Sequence, residues 1–213
     1  GAISAAGTLR EKFYHFRRTN LLMDDIESWL APQLHPNRSG DWLRGGDTRL
    51  DIDHDKLGAE ESWRRIHYWW EGADGSRLLG LTNETNERQT VERGAIEFDG
   101  VTFPNYSEMT VPIEFYPAYP GGGGIQSHYT MMLPVRFDLD ADMRLRYTTS
   151  EPLAMREFNG DQLIVLHGRR GTSGEVVFDD FATRPDIVGN DGSVEVARYD
   201  GERVALTFTH ADE

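Results

Sequence analysis

The order of hydrophobic and polar residues predicts a chain made mainly of short β-strands. Residues 143–149 alternate, with Met143, Leu145 and Tyr147 on one side, which is the period of a strand with one buried face. Residues 163–166 are consecutive apolar residues, so we expect the strand at 162–167 to be covered on both faces at the centre of a sheet. A further run at 175–181 follows a glycine-rich loop and completes a unit of three strands.

Turn signals between the other apolar runs predict antiparallel hairpins. Gly72-Ala73-Asp74-Gly75 joins the runs at 63–70 and 77–82. Asp99-Gly100 joins the run at 89–98 to the next run, at 109–115. Asp200-Gly201 joins the runs at 194–199 and 203–209. Regular short strands with turns between them indicate an antiparallel β-sandwich rather than parallel strands connected by helices. We therefore predict a mainly β fold in which residues 32–213 form the sandwich domain.

One amphipathic helix is predicted at the N-terminus. Thr8-Leu9-Arg10-Glu11 is a capping box, in which the threonine hydroxyl and the glutamate satisfy exposed amide groups. Apolar residues then recur at spacings of three, four or seven positions and stop before Pro32: Leu9, Phe13, Phe16, Met23, Ile26 and Leu30. An ordinary helix packed on this domain's own sheet would have this stripe covered.

The acidic charge of the chain argues against two classes of partner. A net charge of −14 and an isoelectric point near 4.9 would repel nucleic acid and anionic membranes, so we expect neither. Lysine occurs only at Lys12 and Lys56, and the other basic residues are arginines. An acidic, lysine-poor surface is expected of a protein kept soluble in concentrated salt, although a GC-rich genome would also explain the arginines.

Composition also bounds the core and the chemistry open to the chain, without assigning a compartment. With 38% hydrophobic residues, five Trp and ten Phe, the chain can build a real core. It has no cysteine, which removes disulfides, thiol nucleophiles and thiolate zinc sites. No apolar run reaches the ~18 residues of a membrane-spanning helix, and we find no signal peptide. We expect a soluble protein, cytoplasmic or secreted, in which residues 1–7 mark the edge of an expressed fragment or a cut inside a larger protein.

Residues 147–178 carry a resemblance to a known family. The matching segments are Tyr147-Thr148-Thr149-Ser150-Glu151, Phe158, Leu163-Ile164-Val165-Leu166-His167-Gly168 and Glu175-Val176-Val177-Phe178. In this order they resemble the β-rich domain that follows the catalytic barrel in family 35 β-galactosidases. The similarity extends upstream through the aromatic strand near Trp63 to the helix at Thr8. One departure is His167-Gly168-Arg169, where the family often has paired glycines and an aromatic residue.

The resemblance implies a domain with no catalytic residue of its own. A retaining glycosidase needs two carboxylates ~5 Å apart, and in the family both lie on barrel strands that precede this domain. No catalytic residue is therefore carried over, and we expect Glu151 to have a structural role at a strand end. The resemblance also implies a linker helix at 1–31, the (β/α)8 barrel of the same enzyme as partner, and a galactoside or oligosaccharide as ligand.

Candidate metal and cofactor motifs fail on their spacing. Asp51-Ile52-Asp53-His54-Asp55 gathers oxygen donors suited to Ca²⁺, but it lacks the glycine and the bidentate glutamate of a calcium loop, so a solvated acidic turn is favoured. No two histidines have the i, i+4 spacing of zinc hydrolases, and the glycines at 121–124 lack the lysine of a phosphate-binding loop. We expect neither a metal nor a cofactor.

Three aromatic residues are the candidate sugar-binding residues. Aromatic faces stack on the CH groups of pyranoses. Tyr116 and Tyr119 lie in a loop that precedes four glycines, which could present them to solvent or to the edge of an active site. Trp70 lies in the aromatic strand, on the same side as Tyr68. The alternative is a packed loop and a buried aromatic face.

Three functions from different classes remain open. The favoured one is a non-catalytic β-sandwich domain of a β-galactosidase-like glycoside hydrolase that supports the barrel and contributes to the edge of its substrate cleft. The second is a free-standing carbohydrate-binding module, and the third is an unrelated small enzyme using a pair such as His128 and Glu114. Fold resemblance cannot choose among them, because function belongs to sites.

Overall fold

A computed structural model describes Gly7 and residues 11–31, 50–52, 67–72, 74–83, 89–91, 96–98, 108–115, 129–139, 143–168, 170–188 and 193–211. Two helices are followed by fourteen strands within these residues. The helices are α1 (Glu11–Asp25) and α2 (Glu27–Leu30). The strands are β1 (Leu50–Ile52), β2 (His67–Glu71), β3 (Arg77–Asn83), β4 (Gln89–Val91), β5 (Ile96–Phe98), β6 (Ile113–Phe115), β7 (Tyr129–Val135), β8 (Phe137–Asp138), β9 (Arg144–Thr148), β10 (Glu151–Phe158), β11 (Asp161–His167), β12 (Ser173–Asp179), β13 (Val194–Tyr199) and β14 (Val204–Thr209).

The largest sheet has five antiparallel strands in the order β13-β14-β12-β9-β8. The alternation predicted for residues 143–149 is confirmed in β9, where Leu145 and Tyr147 are buried while Arg144 and Arg146 are half-buried. Asp200-Gly201 joins β13 to β14 as predicted. In this turn the Asp200 carboxylate accepts hydrogen bonds from the amides of Glu202 and Arg203, and these bonds lower its pKa.

Smaller antiparallel sheets accompany the large one. They are the three-stranded sheet β2-β3-β7 and the two-stranded pairs β10-β11, β1-β5 and β4-β6. The predicted hairpin of β2 and β3 is confirmed, with Trp70 opposite Leu78. Every described pairing is antiparallel, and the chain is mainly β with an N-terminal helix, so the predicted fold class, an antiparallel β-sandwich, is confirmed.

One core joins the helix to the sheets. It contains buried apolar side chains from α1, the α1–α2 junction and six strands: Leu22, Ile26, Leu78, Phe137, Leu145, Met155, Val176, Phe178 and Val204. Helix α1 is thus packed on the strands of this domain, as expected of an ordinary helix whose apolar stripe is covered. A linker role for residues 1–31 stays a prediction. The capping box at Thr8 lies outside the described residues.

The prediction that residues 162–167 form a central strand is wrong. Among the described strands β11 pairs only with β10, and its residues alternate between exposed and half-buried. Ile164 and Leu166 pack against the core, whereas Leu163 and Val165 are exposed. A run of apolar residues does not distinguish a strand covered on both faces from an edge strand with an apolar outer face.

The predicted pairing of the run 89–98 with the run 109–115 is seen in part, and the Asp99-Gly100 turn stays a prediction. The run 89–98 divides into two strands, of which β4 pairs with β6 while β5 pairs with β1. Strand β5, which ends directly before Asp99, therefore pairs with a strand that comes earlier in the chain. The dipeptide Asp99-Gly100 lies outside the described residues.

A tight Asn-Gly turn joins β10 to β11. Asn159 and Gly160 both have positive φ angles, 56° and 87°, between the paired residues Phe158 and Asp161. Asn-Gly is favoured in such two-residue hairpin turns because both residues tolerate this backbone conformation. No helix among the described residues is long and apolar enough to span a bilayer.

Candidate functional site

The structure describes little of the predicted sugar site. Tyr116 and Tyr119 lie outside the described residues, and so does His128 of the alternative catalytic pair. Trp70 is placed in β2, but its side chain is outside the described part. The sugar-binding role of these residues stays a prediction. Of the acidic turn at 51–55, the structure describes only Asp51 and Ile52, and within the described residues no group of three or more His, Asp or Glu side chains could hold a metal.

Among the residues that the structure describes, the most deeply buried carboxylate belongs to Glu175, and it is hydrogen-bonded within the sandwich. It accepts hydrogen bonds from the Tyr147 hydroxyl, the Thr110 hydroxyl and, at 2.9 Å, the Thr110 amide. Burial, together with the neighbouring Glu175 carboxylate, raises the pKa of Tyr147 above its usual range. A carboxylate held by three donors is stable without contact with water, so this cluster fastens residues 108–110 to the large sheet.

A serine and a histidine also form a contact. Ser150 Oγ lies 3.0 Å from His210 Nε2. Burial lowers the pKa of His210, and the Glu114 carboxylate acts weakly in the opposite direction. Ser150 itself is buried, so its hydroxyl does not meet a substrate from solvent, and we assign this pair a structural role.

Next to this pair, a cavity of about 460 Å³ opens between the start of β6 and the loop before β12. Glu114 and Arg170 are its charged lining residues, and Thr172 connects it to His210 through a 2.9 Å backbone hydrogen bond. This cavity places Glu114 at the surface of a pocket, as the alternative catalytic pair requires. The predicted partner of Glu114, His128, is outside the described residues.

A second cavity combines aromatic, apolar and charged side chains and is the strongest candidate site. We call it the Trp29 cleft. It has a volume of about 380 Å³ and lies between α2, the turn after β2, strand β8 and the tip of the β10–β11 hairpin. Its lining residues are Asp25, Ile26, Ser28, Trp29, Asp74, Ser76, Phe137, Asp138, Leu139, Met155, Arg156, Glu157 and Gln162.

A chain of hydrogen bonds holds Trp29 in the wall of the cleft. The indole Nε1–H donates to Ser76 Oγ at 2.5 Å, and the Ser76 hydroxyl donates to the Asp74 carboxylate. The Ser76 amide donates to the same carboxylate at 3.0 Å. Burial alone would raise the pKa of Asp74, but the hydrogen bonds from Ser76 outweigh it and lower the pKa, so this carboxylate is ionised at neutral pH.

Gly72 allows this chain of hydrogen bonds to form. A Cβ atom at this position would lie 2.5 Å from Asp74 Oδ1 and 2.6 Å from Trp29 Nε1. Both are far inside van der Waals contact, so any side chain at Gly72 would push the indole, the serine and the carboxylate apart.

The charges of the cleft are unbalanced. Among the described residues, its lining carries four carboxylates and one guanidinium. Asp25 is paired with Arg156 at 2.5 Å, and Asp138 is paired with Arg144, which lies just outside the lining. Among the described residues, neither Asp74 nor Glu157 has an arginine within salt-bridge distance. The cleft is therefore a negative pocket with an aromatic wall.

Local sequence patterns indicate only part of this cleft. The motif Gly72-Ala73-Asp74-Gly75 predicts a turn, and an aspartate two residues before Ser76 is typical of a side chain that accepts a hydrogen bond from the serine amide. Trp29 is 47 residues away from Ser76 in sequence, and no local pattern indicates that the two meet. Glu157 and Gln162 enter the cleft because β10 and β11 pair in a register that places them opposite each other.

Comparisons with known proteins do not assign the chain to a family. No protein-family model matches it, and a search of curated proteins found no match either.

Proposed function

We propose that the chain is a non-catalytic β-sandwich domain of a β-galactosidase-like glycoside hydrolase, and that it supports the catalytic (β/α)8 barrel of the same enzyme. The proposal starts from the resemblance of residues 147–178. These residues form β10, β11, most of β12 and the last two residues of β9, so the resembling segment supplies the whole β10–β11 hairpin and most of one strand of the large sheet.

The observation that carries the proposal is the apolar outer face of this hairpin. Phe158 is 61% exposed, Leu163 41% and Val165 37%. Leu163 lies opposite Arg156, Val165 opposite Ala154 and Phe158 opposite Asp161, so the face carries two charged side chains of opposite sign, Arg156 and Asp161, beside its apolar ones. An exposed group of large apolar side chains on a chain of net charge −14 is typical of a surface that another protein surface covers. The barrel is the occupant we propose.

Two carboxylates of the same segment have positions that favour a structural role. Glu151 begins β10 and is buried, and Glu175 is fully engaged by Tyr147 and Thr110. A general acid or a nucleophile must reach its substrate, which a side chain closed off inside a sandwich does not do. The positions of Glu151 and Glu175 therefore favour a domain whose partner, the barrel, supplies the catalytic carboxylates.

The test uses the polypeptide that contains both this domain and its barrel. A double replacement, Leu163→Ser with Val165→Ser, removes apolar area from the proposed docking face. If the barrel covers that face, thermal unfolding should separate into two transitions and limited proteolysis should release the domain faster. Val188→Ser is the matched control, because Val188 is 90% exposed and outside the hairpin. Unchanged unfolding in the double variant would contradict docking through this face.

A further inference from the structure

We propose that the Trp29 cleft binds a small organic cation with an apolar body, of the quaternary ammonium class. The cleft belongs to this chain alone, so the proposal does not depend on a neighbouring barrel and goes beyond the function proposed above.

The floor and wall of the cleft fit the apolar body of such a ligand. Ile26, Phe137 and Met155 are buried core residues that also line the cavity. Trp29 lies against Phe137, with the ring centroids 4.7 Å apart. The volume, about 380 Å³, is in the range of pockets that take small ligands. Methyl and methylene groups would be removed from water against this surface.

The hydrogen-bond chain from Trp29 to Asp74 favours a cation at the indole. The negative charge of Asp74 is conveyed through the Ser76 hydroxyl to the indole N–H, which increases the electron density of the ring. A cation is attracted to the face of a tryptophan by this electron density, more strongly when the pair is removed from water.

The rim supplies the matching charge. Asp25 and Asp138 are paired with Arg156 and Arg144, and Arg144 also attracts Asp74 from beyond salt-bridge distance. Asp74 and Glu157 are exposed carboxylates that form no salt bridge with the other described residues. Gln162 lies opposite Glu157 in the hairpin and offers an amide to a polar group of the ligand. An anion would be repelled here, and a neutral polyol would gain nothing from the net charge.

The experiment compares two ligands of equal shape on the 213-residue chain. Choline and its uncharged isostere, 3,3-dimethylbutan-1-ol, are each titrated by calorimetry and tryptophan fluorescence. We expect choline to bind about tenfold more tightly. Raising NaCl from about 0.05 M to about 0.5 M should weaken choline binding and leave the isostere unaffected.

Isosteric variants then test the site itself. Glu157→Gln and Asp74→Asn should each weaken choline binding about fivefold, since each removes a charge but keeps the shape of an exposed side chain. Asp161→Asn is the matched control, because Asp161 is an exposed acid of the same hairpin outside the cleft, and it should leave affinity unchanged. Urea unfolding of each variant verifies that its fold is intact.

Four results would overturn the proposal. They are no choline binding, equal binding of the two isosteres, loss of affinity in Asp161→Asn equal to that in Glu157→Gln, and binding of methyl β-galactoside in place of choline with the same variant sensitivity. The last result would make the cleft a neutral sugar site. None of them bears on whether a barrel docks on the hairpin.

Discussion

Glu175 and Tyr147 define the polar interior of this sandwich at the scale of single residues. Both are fully buried, and the contact between them lies where β9 pairs with β12. The alternation of residues 143–149 predicted that Tyr147 points inward, because side chains on a strand have a period of two. It could not predict the partner of the hydroxyl, which depends on how β9 and β12 are paired and on a bulge between Val177 and Phe178.

Replacing Tyr147 by Phe should destabilise the domain by about 1–3 kcal/mol, because it leaves the buried Glu175 carboxylate with one donor fewer. Urea unfolding measures the change. Tyr199→Phe is the matched control: its hydroxyl donates a longer bond, 3.3 Å, to the Phe181 carbonyl and is less buried, so the loss should be smaller. Equal losses of unfolding free energy in the two variants would show that the buried contact between Tyr147 and Glu175 stabilises the domain no more than the contact between Tyr199 and Phe181 does.

His210 should titrate below its ordinary pKa of 6.5 in the folded protein, because burial disfavours the charged imidazolium. As pH falls, His210 therefore binds a proton at a higher pH in the unfolded chain than in the folded protein. The contribution of His210 to stability is therefore fully present above pH 6.5 and is lost as pH falls from 6.5 towards the folded pKa.

Measurement of the His210 ring proton shifts by NMR against pH gives this pKa directly. A matching stability test compares wild type with His210→Gln at pH about 7.5 and about 5.5, where the wild type should lose more stability than the variant. A folded-state pKa at or above 6.5 would contradict the burial of this ring.

At the scale of elements, the helix and the hairpin show what a sequence pattern can and cannot decide. Asn159-Gly160 and Asp200-Gly201 mark their turns locally, since the residues themselves favour positive φ or accept backbone amides. The place of β11 at an edge is a property of the whole sheet, and four apolar residues in a row are compatible with either a central or an edge strand. The Trp29 cleft is still harder to predict because it joins α2 to residues far along the chain.

Leu22→Ala should cost about 2–5 kcal/mol of unfolding free energy, because Leu22 is 1% exposed and lies in the core shared by α1 and the strands. Its neighbour Leu21 is 36% exposed, and Leu21→Ala should change the free energy by about 0.5 kcal/mol or less. Urea unfolding of the two variants measures the difference. Similar small losses in both would show that α1 is not integral to this domain.

On the scale of the whole molecule, an excess of acidic charge coexists with a few local ion pairs. Arg146 lies 3.1 Å from Glu108 and 3.3 Å from Asp179, and Arg203 approaches the same two carboxylates. Burial tends to lower the pKa of Arg146, but the two carboxylates outweigh it and raise the pKa. Such partly buried pairs are screened by salt less than the general repulsion among the surface carboxylates.

The domain should therefore be stabilised by salt. Raising KCl from about 0.05 M to about 1 M should increase Tm by about 5 °C, since screening reduces the self-repulsion of a chain with charge −14. Differential scanning calorimetry measures the shift, and the same series in sucrose controls for general solvent exclusion. A Tm that is flat or falls with KCl would contradict a salt-adapted surface.

The central claim is that a barrel in the same polypeptide supplies the chemistry that this domain supports. The most direct measurement is mass spectrometry of the native polypeptide, captured from the source cell with an antibody against the β10–β11 hairpin. The account predicts peptides of this domain and of a (β/α)8 glycosidase barrel in one continuous chain. A native polypeptide that contains the hairpin and no barrel would contradict it.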